Sequence, residues 1–282
     1  MGNEVVGPLV TTDWLAENLE RPDVKVVDTI FWMPGLDRIL ADEYELAHIP
    51  GSLLFDVDAV SDTASEIPHM MPSPARFAEL VGLMGIRNTD TIICADRMGS
   101  MASPRVWWMF RSFGHDAVAV LDGGLIKWMR ENRPVSDQPP TPNPVVFSVS
   151  PRPGFFRSIE EILPESEQVI DVREGERFAG NAPEVWPGRR RGHIPGSLNV
   201  HYEKLFTPER TFKSPDELRK VFAEAGVNLD GPIVATCGSG VTACILSLAL
   251  TLVGRPDSTV YDGSWAEWGL RLDKPVAIGR SA

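Results

Sequence analysis

Residues 192–198 read GHIPGSL, and residues 47–53 read AHIPGSL. Near-identity over seven positions, roughly 145 residues apart, marks a duplicated unit; the period is too long for a solenoid. A second echo follows, LDGGLIKW (121–128) against YDGSWAEW (261–268). Between these anchors the halves stay in step. VKVVDT (24–29) aligns with QVIDVR (168–173), and TIICAD (91–96) with PIVATC (232–237), as short β-branched runs that predict buried strands. SPARFAELVGLMGI (73–86) aligns with SPDELRKVFAEAGV (214–227); each has a Ser-Pro start, apolar spacing of three and four, and a Gly stop, which predicts a helix. SPRVWWMFRSFG (103–114) and ACILSLALTLVG (243–254) read as the helices after the second strands. Strands alternating with helices predict an α/β fold with a mostly parallel sheet, built twice. The stretch 134–155 holds prolines at 134, 139, 140, 142, 144, 151 and 153, which stiffen a connection and resist helix. The expected division is a first domain at 1–136, a Pro-rich linker at 137–155 and a second domain at 156–282.

Composition narrows the function classes. The chain is 43% hydrophobic and 23% charged, as in soluble globular proteins. A net charge of −12 argues against a general nucleic-acid binder, which needs a basic face for phosphates. The N-terminal MGNEVVGPLVTTDWL is acidic, lacks the apolar core of a signal peptide, and has Val6 where a myristoylation site wants Ser or Thr. No stretch is long and apolar enough to predict a membrane span, so a cytoplasmic location is expected. Cys94, Cys237 and Cys244 are too few for a disulfide framework, and none has zinc-site spacing, so no metal and no cofactor are expected.

The chemistry is concentrated at VATCGSGVTACIL (234–246). Cys237 falls at the carboxyl end of a predicted strand, where open α/β sheets hold ligands, with a helix expected to begin near Val241. Gly238 and Gly240 let the backbone curl into an anion-holding nest, the helix N-terminus adds positive potential, and Ser239 and Thr242 supply hydroxyls. A buried filler cysteine is the simpler reading of an isolated thiol, but this setting favours thiolate chemistry. A cysteine phosphatase would need Cys-x5-Arg to clamp phosphoryl oxygens; Ala243 stands where that arginine belongs.

CGSGVTA, both HIPGS segments, SPRVWWMF, LDGGL and YDGSWAEW together resemble the rhodanese superfamily, and within it the 3-mercaptopyruvate sulfurtransferases, over nearly the whole chain. The resemblance implies two tandem rhodanese-like domains, the second catalytic. Consistent with that, Asp96 aligns with Cys237, so the first half lacks the nucleophile. It implies transfer of sulfur from 3-mercaptopyruvate through a Cys237 persulfide to thioredoxin, a small thiol or cyanide, with release of pyruvate. Alternatives are a thiosulfate sulfurtransferase or a non-catalytic persulfide carrier. The thiosulfate-using relatives carry basic side chains after the cysteine, whereas Gly238 and Ser239 are uncharged.

From bare sequence His69 and Asp58 read first as a loop cap and a turn residue, but the resemblance implies a Ser239–His69–Asp58 proton relay across the domains. It assigns Arg177 to the donor's carboxylate, which a guanidinium suits. A second arginine of the family falls on Trp186, a departure; Trp186 could receive a more apolar chain or stack on Arg177, and Arg190, in the RRR run at 189–191, is the candidate to supply the missing charge. Gly238, Gly240, Val241 and Thr242 complete the expected donor-binding set. His48 and His193 occur in both halves and read as structural, as do Asp28, Asp171, Asp122 and Asp262. Cys94 and Cys244 read as core, and Trp107 and Trp108 as domain-interface core.

Overall fold

The computed structural model describes residues 7–279; the Met1-Gly2 reading lies outside them. The first half carries strands β1 (Leu9–Val10), β2 (Val24–Ile30), β3 (Leu53–Asp56), β4 (Thr91–Asp96) and β5 (Val118–Leu121). The second carries β6 (Phe156–Arg157), β7 (Gln168–Asp171), β8 (Leu198–Asn199), β9 (Ile233–Thr236) and β10 (Thr259–Tyr261). Every pairing is parallel. The strand orders are β1-β5-β4-β2-β3 and β6-β10-β9-β7-β8, the same order twice. The repeat read in the sequence is therefore a repeat of topology, and the expected α/β fold with two parallel sheets is what forms.

Local chemistry sets the helix starts as expected. Ser73 caps the helix Pro74–Leu83, and Ser214 with Glu217 forms a capping box on Pro215–Glu224. Two other helices pair across the molecule, Ser103–Ser112 and Ala243–Leu252. The second is buried from Ala243 to Leu250, so it is a core helix, apolar on every side. One apolar cluster runs through both halves, uniting Val106, Trp107 and Phe110 with Ala243, Leu246 and Leu250. Trp107 and Trp108 sit in it, as expected. Cys94 and Cys244 are buried in it too. Each sheet has a separate cluster on its other face, built around Leu15, Ile93 and Trp128 in the first half and Val169, Tyr261 and Trp268 in the second.

The proline-rich stretch is laid against the first half. Val145 N donates to Gly82 O, Ser150 N to Phe113 O and Arg152 N to Ser112 O, and Phe147 is buried. A Cβ at Gly82 would come 2.4 Å from Val145 O, so glycine is what lets this segment close onto the helix. Rigid extended chain, once docked, holds the two halves at one spacing.

Candidate active site

The loop after β9 begins at Cys237, which is 1% exposed. Its backbone is tied on both sides. Cys237 N donates to Ser264 Oγ (3.1 Å), and Cys237 O and Gly238 O accept from Trp265 N and Ala266 N. Gly240 has φ +78°, and a Cβ there would lie 2.4 Å from Asp262 O. Only glycine accommodates both the left-handed turn and that contact. The helix starts at Ala243, two residues later than expected, with Thr242 as an uncapped N-cap residue.

Ser239, His69 and Asp58 form one hydrogen-bonded chain across the halves. Ser239 Oγ is 2.8 Å from His69 Nδ1. His69 Nε2 is 3.0 Å from Trp32 O and 3.2 Å from Asp58 Oδ1. A carbonyl only accepts, so Nε2 carries the proton and Nδ1 receives the Ser239 hydroxyl when the ring is neutral. Asp58 is steadied by Trp32 N, which donates to its Oδ2 at 2.6 Å. His69 itself is buried and held at φ +60°, an uncommon conformation for a non-glycine residue.

Arg105 explains how His69 is held there. Fully buried, it donates through Nη2 to His69 O (2.5 Å) and lies 2.8 Å from Asp262 Oδ1. Asp262 Oδ2 accepts from Met71 N (2.7 Å), and Arg105 Nη1 reaches Gly240 O (3.4 Å). Burial works against the Arg105 charge, but the Asp262 carboxylate and the Cys244 sulfur together outweigh it and hold the guanidinium protonated above its usual range. One ion pair thus joins the His69 segment to the Cys237 loop.

Above Cys237 is a cavity of about 400 Å³. Its wall includes Gly238, Ser239, Val241 and Thr242 of the loop, Arg177 and Trp186, and from the first half Phe31, Met33 and Met101. Arg177 is partly spoken for: its Nη2 donates to Glu184 Oε2 (2.7 Å). Glu184 also takes Arg173 Nη1 (2.8 Å), while Arg173 binds Asp171.

Residues 11–131 and 158–271 each match the model of a rhodanese-like domain. The chain belongs to the rhodanese family. It is 42% identical to the 3-mercaptopyruvate sulfurtransferase of Rattus norvegicus, covering 96% of this chain and 95% of the relative. It is 41% identical to the thiosulfate sulfurtransferase of the same species, again over 96% and 95%. The crystal structure of SseA from Escherichia coli, titled a 3-mercaptopyruvate sulfotransferase, superposes with a TM-score of 0.84 at 36% identity, over 93% of this chain and all of that one.

Sequence readings change at Arg190, at Asp122 and Asp262, and at Trp186. Arg190 does not line the cavity: its guanidinium donates to the backbone carbonyls of Trp268, Arg271 and Lys274 and ties down the C-terminal segment. Asp122 and Asp262 are more than turn residues. Asp262 binds Met71 N and Asp122 binds Phe212 N (2.9 Å), so each half caps a backbone amide of the other. His48 and His193 are structural as expected, with Nδ1 on Tyr44 O and Phe178 O. Asp28 and Asp171 pair with Arg97 and Arg173. Trp186 meets the His69 ring edge-on (centroids 5.6 Å apart) and does not stack on Arg177. The sequence reading missed Arg105, Ser264 and Glu184. Arg105 had a signal, a lone cation inside the otherwise apolar SPRVWWMF, whereas Glu184 and Ser264 had none.

Proposed function

We propose that the protein is a sulfurtransferase that takes its sulfur from 3-mercaptopyruvate, with Cys237 as nucleophile. The observation that carries this is the buried Cys237 at the base of a cavity whose loop side chains, Gly238 and Ser239, are neutral and whose Ser239 is tied to His69 and Asp58. A compact dianion such as thiosulfate is served by cations on the loop itself, which Gly238 and Ser239 do not supply; a monocarboxylate with a ketone needs a single cation, and Arg177, whose Nη2 lies 3.5 Å from where a Gly238 Cβ would be, is placed to be it. The 3-mercaptopyruvate sulfurtransferase and SseA relatives support the same donor.

The Cys237 thiolate attacks the donor's sulfur. A new S–S bond forms, the C–S bond breaks, and its electron pair leaves with the three-carbon fragment as the enolate of pyruvate, which takes up a proton. The sulfur-bound proton passes to base; Ser239 and His69 are placed to accept and return protons, and Asp58 to steady the imidazolium. Loop amides of Ser239, Val241 and Ala243, which have no acceptor within the described chain, are available to the sulfur anion. In the second half-reaction an acceptor thiolate or cyanide attacks the outer sulfur and Cys237 thiolate departs. A thiol protein such as thioredoxin, a small thiol and cyanide all fit this step. The first half is a structural domain in this reading, with the boundaries expected above, although it lends His69 and Asp58 to the site.

Incubation with mercaptopyruvate should add about 32 Da, one sulfur, to the Cys237 peptide and release pyruvate over many turnovers. Thiosulfate should give a lower kcat/KM than mercaptopyruvate; the reverse order would reject the donor assignment. Modification without turnover would instead mark a persulfide carrier.

A further inference from the structure

The donor reading leaves a charge deficit in the cavity. Trp186 contributes no charge, Arg173 is consumed by Asp171 and Glu184, and Arg177 shares Glu184 with it. Lining the same cavity is His201, whose ring makes no hydrogen bond within the described chain and meets the Tyr202 ring in a T-shaped pair (centroids 4.9 Å apart). It sits just after β8, at the carboxyl edge of the sheet, where ligands of parallel sheets lie. The repeat shows that the position is open to change: aligning HIPGSLNVH with HIPGSLLFD puts Asp56 opposite His201, an anion in the half without a nucleophile.

We propose that His201 is a specificity-determining contact for the anionic end of the donor, its imidazolium acting with Arg177 in place of the charge that Trp186 does not carry. The proposal rests on the anionic-donor reading above. Around the ring stand Glu203, Lys204 and Tyr202 on its own turn, Glu174 and Arg177 on the segment after β7, and Cys237 and Thr242 across the cavity. Burial lowers the His201 pKa from its usual value; Glu203 and Glu174 oppose that, and Lys204 and Arg177 add to it. The free site is therefore charged only in mild acid, and a bound carboxylate favours the charged ring. Donor affinity thus falls as pH rises.

The test is KM for mercaptopyruvate from about pH 5.5 to about pH 8 in the wild type, His201→Gln and His201→Arg. Wild-type KM should rise about tenfold across that range, the size of one charged hydrogen bond. The Gln variant should hold the high value at every pH, and the permanently charged Arg variant the low one. The kcat profile should keep one shape in all three, because His69 is untouched. If His201→Gln retains the wild-type rise in KM, or His201→Arg fails to lower KM at the alkaline end, His201 is not the contact. Should the wild type release no pyruvate at any pH, the donor reading fails instead, and the same KM series with thiosulfate decides on His201.

Discussion

The loop DRMGSMA at 96–102 and the loop CGSGVTA at 237–243 occupy equivalent places in the two halves. Each follows the central strand of its sheet, β4 or β9, and each turns on a left-handed glycine, Gly99 at φ +71° and Gly240 at φ +78°. In the first, the Asp96 carboxylate gathers the amides of Met98, Ser100, Ala102 and Ser103 and the Ser103 hydroxyl, at 2.8–3.0 Å. In the second, the aligned residue is Cys237, and the amides of Ser239, Val241 and Ala243 are left without an acceptor in the described chain. The same loop is an anion receptacle twice over. One half fills it from its own side chain; the other leaves it unfilled, the place that the proposed mechanism gives to a sulfur anion. The relay shows the same divergence. His69 and Asp58 align with Arg210 and Glu203, and Arg210 covers Gly99 much as His69 covers the catalytic loop. An arginine stays charged at every relevant pH and cannot pass a proton; a histidine can.

The hardest test of the loop comparison is to make the second like the first. Cys237→Asp should abolish persulfide formation and lower pyruvate release by about 10⁴-fold or more. It should still fold, with a melting temperature at or above that of Cys237→Ser, because the carboxylate finds the waiting amides. A Cys237→Asp protein that fails to fold while Cys237→Ser folds would show that the two loops are not equivalent. Next in size, His69→Gln can hold hydrogen bonds but moves no proton, so kcat should fall about 10²-fold or more with KM little changed. Arg210→Gln in the other half should leave kcat within about twofold; a comparable loss there would place proton transfer outside the relay.

This divergence also governs what could be read from sequence alone. The duplicated topology was legible because HIPGS, the DG turns and the Ser-Pro helix starts are local signals, each fixing its own element. Cys237 was legible because its aligned partner is Asp96. The relay's spatial closure was not, since Asp58, His69 and Ser239 meet only when the halves pack. The Arg105–Asp262 clasp was hidden for the same reason: its partners lie 157 positions apart and signal nothing locally except a cation in an apolar helix. Arg190 misled because a basic run reads as available charge, whereas backbone carbonyls folded over it had already claimed the guanidinium.

That clasp has no counterpart in the mirror position, where Ile245 aligns with Arg105. Arg105→Leu should therefore cost about 3–5 kcal/mol in a denaturant melt, leaving Asp262 as an unpaired buried charge. Adding Asp262→Asn should recover part of it; no recovery would mean that the loss is packing alone. A smaller difference is expected between the loop glycines. Both alanine variants meet a left-handed φ, about 1–3 kcal/mol each. At Gly240 the new Cβ meets the Asp262 carbonyl at 2.4 Å, and at Gly99 it meets the movable Arg210 side chain at 2.6 Å. Gly240→Ala should be the less stable by calorimetry and should lose activity; equal losses would remove the distinction between a backbone wall and a side-chain one.

The smallest effect is expected where the halves agree. Asp122 binds Phe212 N as Asp262 binds Met71 N, but among the described residues no arginine pairs with Asp122. Burial raises its pKa above the usual 3.8, only partly offset by the Phe212 amide and by Lys127. A raised carboxyl pKa means that the folded protein binds the proton more tightly than the unfolded chain, so this group's contribution to stability falls as pH rises from 3.8 through its folded value. Asn at 122 keeps an oxygen for the Phe212 amide and carries no charge to bury. Asp122→Asn should change stability by less than about 1 kcal/mol and leave activity intact. Relative to the wild type it should gain as pH rises through the carboxylate range and level off above it, read as the difference in unfolding midpoint between acid and neutral pH. A gap that widens toward acid instead would mean that the Asp122 carboxylate is stabilised in the fold, and that its clasp is worth as much as the one Arg105 reinforces.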